Sequence, residues 1–70
     1  MIEVFKTNVT LMEDAATILL MLFRLLPSCK INFDLEDCDK ILRVEGESFI
    51  PKDIIKTLHT NGYTCEALED

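Results

Sequence analysis

The run Ala15–Leu26, "AATILLMLFRLL", carries ten apolar residues in twelve, and in a chain of 70 residues no other segment constrains the fold as much. A membrane span needs about 20 consecutive apolar residues, and Arg24 interrupts this shorter run. It is therefore expected to be a soluble helix whose apolar face covers other elements. A chain this short buries only about 60% of its unfolded surface, so its core has to be efficient. The helix is expected to begin at Thr10. Thr10 with Glu13 three residues later has the spacing of a capping box, in which hydroxyl and carboxylate each accept from the other residue's backbone N–H. Pro27 ends the helix at Leu26, because a proline disfavours helical geometry in the residue before it.

Strands flank this helix. "IEVFK" (2–6) is short and rich in β-branched and aromatic residues. In "KINFDLEDCDKILRVEG" (30–46), Ile31, Phe33 and Leu35 alternate with polar residues, "EDCDK" turns the chain, and Leu42 and Val44 alternate again. This predicts a hairpin with one apolar and one charged face. A second helix follows, with Pro51 in its first turn, Ile54, Ile55 and Leu58 along one face and Gly62 as its left-handed terminator. "YTCEAL" (63–68) closes the chain as a strand. The order β-α-β-β-α-β predicts a single α+β domain over 1–70, a ferredoxin-like two-layer sandwich in which two helices pack on one face of a four-stranded antiparallel sheet.

The net charge of −6, with only seven Lys and Arg, disfavours a phosphate-backbone partner, so no nucleic acid is expected. The N-terminus lacks the basic and apolar regions of a signal peptide. Cys29, Cys38 and Cys65 are too far apart in sequence for a C-x-x-C pair, and three cannot all pair. A reducing, cytoplasmic setting is the expectation.

The length, the element order, the hairpin and "IPKDIIKTLHTNGYTCEAL" with its "NGY" step (50–68) together resemble the heavy-metal-associated domains, the small modules of copper chaperones and metal-pumping ATPases. The resemblance spans essentially the whole chain. It implies a M-x-C-x-x-C motif in the loop after the first strand, where two thiolates hold a soft ion such as Cu(I). Here that loop is "KTNVTLMED", and the two cysteine places fall on Val9 and Met12 or on Thr10 and Glu13. Cys29, expected at the far end of the first helix, lies more than about 20 Å away. The thiolate site of the family is thus missing, and Tyr63, which matches an aromatic near that loop in some members, is expected only to pack there. No metal site or cofactor is assigned.

Other chemistry-bearing residues have plainer explanations. Met12 suits a core or a thioether ligand, and the former is the more common use. Cys65 reads as a small buried apolar group, and Cys29 has only Lys30 nearby to activate it. The carboxylates of "DLEDCD" (Asp34, Glu36, Asp37, Asp39), around Cys38, lack the central Gly and distant Glu of a calcium loop and read as a solvated turn. His59 is the only imidazole and has no nucleophile at a set spacing, and no Gly-rich phosphate loop occurs. The chain is expected not to be an enzyme.

The first helix remains. At about 100° per residue, Leu11, Met12, Ala15, Ile18, Leu19, Leu22, Phe23 and Leu26 are expected to face the core. That leaves Met21 inside the polar arc of Glu13, Asp14, Thr17 and Arg24, Leu20 and Leu25 on its borders, and Ala16 with them in water. These four apolar residues are the expected interface with a second copy or another protein. A soft-metal chaperone or sensor using Cys29, Cys38 or methionines at an unusual site is the second reading, and a small-molecule domain using the open sheet face the third.

Overall fold

A computed structural model describes residues 1–68. The elements are β1 (Ile2–Thr7), α1 (Met12–Leu25), β2 (Lys30–Asp34), β3 (Ile41–Glu45), α2 (Pro51–Thr60) and β4 (Cys65–Ala67). The sheet runs β2-β3-β1-β4, with every neighbouring pair antiparallel. This is an α+β fold of four antiparallel strands and two helices, and no helix among the described residues is long and apolar enough to cross a membrane.

Alternation along the strands sends one set of side chains into a shared core. Phe5, Ile31, Leu42, Val44 and Cys65 come from the sheet, Ala15, Ile18 and Leu22 from α1, and Ile54 and Leu58 from α2. Both helices therefore lie on the same face, α1 over β2 and α2 over β4. Within the hairpin, Ile31 stands opposite Val44 and Phe33 opposite Leu42, the register that the period of two in both strands requires. Asp34 and Asp37 accept the N–H groups of Glu36 and Asp39 with their carboxylates, and Lys40 adopts φ 47° to turn the chain back.

Three expectations need correction. The helix does not begin with a capping box on Thr10 and Glu13. Leu11 occupies the N-cap, makes no side-chain cap bond, and uses its carbonyl to accept from the Ala15 N–H at 3.0 Å. The cause lies just before it. Val9 is fully buried and its N–H donates to the Thr7 hydroxyl, which in turn donates to the Lys40 carbonyl. Once Val9 is held in the core, the chain needs two more residues to reach the helix start.

Second, Leu11, Met12 and Phe23 are exposed, Met12 at 81%. A five-residue edge strand beneath α1 is too narrow to cover a wide arc, so only Ala15, Ile18 and Leu22 are fully buried, with Leu19 and Leu26 packed at their margin.

Third, the last strand starts at Cys65, not Tyr63. The Gly62 N–H donates to the His59 carbonyl and the Tyr63 N–H to that of Leu58, with Gly62 at φ 88°. This pair of hydrogen bonds closes α2. Tyr63 is thus committed to the helix end, and the Thr64 N–H to the Asn8 side chain at 2.8 Å.

Candidate functional site

The β1–α1 loop is closed by its own contacts. Val9 is in the core, while Thr10, Met12 and Glu13 face solvent. Tyr63 packs against the core beside this loop. Burial of its ring, then a hydrogen bond to Asp14 and the charge of that carboxylate, holds the phenol above its usual pKa.

The thiols are scattered. Cys38 is exposed in the β2–β3 turn. Cys29 is half-buried before β2, so close under Gly46 that an added Cβ there would stand 2.5 Å from its Sγ. Strand β2 separates the two, which puts them about 17 Å apart. They cannot share an ion within one chain. Cys65 is buried on β4, and desolvation pushes its thiol up to about 12, which keeps it protonated and a poor ligand or nucleophile. Asp37, Cys38 and Asp39 do bring their ligand atoms within 4.8 Å of one another. Both carboxylates have other work, however: Asp37 accepts the Asp39 N–H, and Asp39 lies 3.7 Å from the Lys6 ammonium. His59 is exposed in the last turn of α2.

The open sheet face, opposite the helices, carries Lys6, Lys30, Asp34, Arg43, Glu45 and Glu66 around Ile2, Val4 and Ile41, as the strand pairing and alternation require. Both signs of charge are interspersed across it.

Exposed apolar surface concentrates instead on α1. The four expected interface residues are all exposed: Ala16, Leu20 at 62%, Met21 at 36% and Leu25 at 46%. At about 100° per residue they do not form one patch. Ala16 and Leu20 share a flank with Met12, Leu19 and Phe23, the side away from α2. Met21 and Leu25 point about 140° or more from Ala16, on the side of Asp14, toward α2.

The flank of Ala16 borders an open groove of about 510 Å³ between α1 and β2. Met12, Ala16 and Leu19 form its helix wall, Phe33 and Leu35 its floor, and Asp34 and Glu36 its outer rim. Met12, Phe33 and Leu35 were not legible as site residues, because the sequence pattern assigns all three to the core. The available signal was that Met12 and Phe23 share a helix face with Ala16.

No protein-family model, curated protein or solved structure matches the chain.

Proposed function

We propose that this chain is a non-enzymatic assembly module: a ferredoxin-like βαββαβ domain resembling the heavy-metal-associated domains, without their thiolate pair, that works in the cytoplasm by packing the outer flank of α1 on a second copy or another protein. The observation that carries this reading is the row of exposed Met12, Ala16, Leu20 and Phe23 beside an apolar groove. Each large side chain among them would gain about 1.5–3 kcal/mol on full burial, a sizeable fraction of the stability available to so small a domain. The closed β1–α1 loop, the protonated Cys65 and the isolated His59 support a binding role over a catalytic one.

The test is size-exclusion chromatography with light scattering from micromolar to millimolar concentration. The expected mass rises toward twice the 8.0 kDa of the chain and falls back in Leu20→Glu. A constant 8.0 kDa mass for both would remove the homodimer.

The second reading is a soft-metal carrier, favoured by one observation, the exposed Cys38 between two carboxylates. Because Cys29 and Cys38 stand far apart, such a site would join two chains. Anaerobic Cu(I) and Zn(II) titration against competing chelators separates the readings: stoichiometric submicromolar binding lost in Cys38→Ser would replace the assembly module with the carrier.

A further inference from the structure

The outer edge of β2 lies beside the exposed flank of α1, and the two surfaces belong to one face of the molecule. Strand β2 ends the sheet, with no strand beside it among the described residues. Its free backbone groups can be identified. The Gly46 N–H donates to the Met1 carbonyl, so in the alternating antiparallel pattern Val44 and Leu42 turn their backbone groups toward β1 while Glu45, Arg43 and Ile41 turn theirs toward β2. Their partners Lys30, Asn32 and Asp34 are thereby bonded to β3. Ile31 and Phe33 are left presenting N–H and C=O groups outward.

Resting on the assembly reading above, we infer that the occupant of this edge is a second copy of the chain, paired antiparallel with β2 across a two-fold axis at Asn32, so that two sheets become one of eight strands. The register is self-complementary. Ile31 of each copy exchanges backbone bonds with Phe33 of the other, Asn32 meets Asn32, and Lys30 stands directly opposite Asp34 twice, an attractive cross-strand pair on the open face. Shifting by one outward-facing pair leaves part of β2 unpaired.

The helix layer fits the same axis. Four strands about 4.8 Å apart span about 19 Å, the width of two helices packed about 10 Å apart. Continuing the sheet through β2 therefore sets the two α1 helices side by side at an ordinary packing distance, antiparallel, with their Met12, Ala16, Leu20 and Phe23 flanks together. Leu19 and Asn32 line the same groove, so the axis that passes Asn32 also passes near Leu19. A face about 20 Å long, set by the helix, and 18 Å deep covers roughly 400 Å² per copy, the size of a weak, transient interface. The dimer is expected to exchange with monomer in the micromolar range.

Charge reversal tests the register. Lys30→Asp gives a copy with aspartates at both ends of β2, and Asp34→Lys one with lysines at both ends. Each alone is expected to weaken self-association about tenfold or more, while an equimolar mixture regains the affinity of the wild type, because every Asp then faces a Lys. Concentration-dependent sedimentation velocity reads all three. Wild-type amide exchange adds a readout independent of variant folding: the Ile31 and Phe33 N–H groups become protected as concentration rises. A wild-type dimer indifferent to both reversals, or one in which these amides stay unprotected, overturns the β2 pairing and leaves assembly through α1 standing. A wild type monomeric at millimolar concentration overturns both the β2 pairing and self-assembly through α1.

Discussion

Leu11 and Ile50 hold the N-cap positions of the two helices, where neither side chain can accept from the free N–H groups of the first turn. Both are exposed, at 53% and 60%, so little packing compensates. Leu11→Asp and Ile50→Asp are expected to stabilise the fold by about 0.5–2 kcal/mol each, whereas Thr10→Ala should change it by less than about 0.5 kcal/mol; urea denaturation measures all three. A loss near 1 kcal/mol on Thr10→Ala would restore the capping box. That motif was chemically sound in the sequence, yet the pattern of Thr10 and Glu13 says nothing about Val9, whose burial moves the helix start. Cys65 gives a pH signature. Burial pushes its thiol up from the ordinary 9.0 to about 12, so between those values the unfolded chain holds fewer protons and stability falls as pH rises. The raised phenol of Tyr63 acts with the same sign above its ordinary value of 10.0. Thermal unfolding followed from pH 9 to about 12 should show this decline, and Cys65→Ala should flatten it; an unchanged slope would mean the thiol titrates freely.

At the level of elements, periodicity located all six segments, and what it missed were their ends and edges. The β2–β3 hairpin follows its alternation within Lys30–Asp34 and Ile41–Glu45, where burial on one side and solvent on the other define both faces, while Leu35 already belongs to the turn. β4 starts late because the Tyr63 N–H is consumed in closing α2, a competition invisible in hydropathy. Gly62 was readable as the terminator. Its φ is 88°, and a Cβ added there would meet nothing within 4 Å, so the cost of replacement is purely conformational. Gly62→Ala is expected to destabilise by about 1–2 kcal/mol, and a neutral result in chemical denaturation would contradict the left-handed cap. The misassignment of Met12 and Phe23 to the core has a different origin. The helical wheel gives the direction of an apolar face but not the width of the sheet beneath it, and α1 lies over the edge strand.

For the whole molecule, the expected order of elements and the one-sided helix layer agree with the α+β architecture, while the surface proposed for assembly depends on which flank of α1 the sheet leaves bare. That flank carries Ala16 and Leu20, and the opposite one, beside α2, carries Met21 and Leu25. Assembly is proposed through the first of these and not the second. The decisive comparison is sedimentation velocity on the wild type, Ala16→Arg, Leu20→Glu and Met21→Glu over one concentration range. Reversible association is expected for the wild type and for Met21→Glu, with monomers for Ala16→Arg and Leu20→Glu. Equal association by all four proteins, or none by the wild type, would refute self-assembly through this flank.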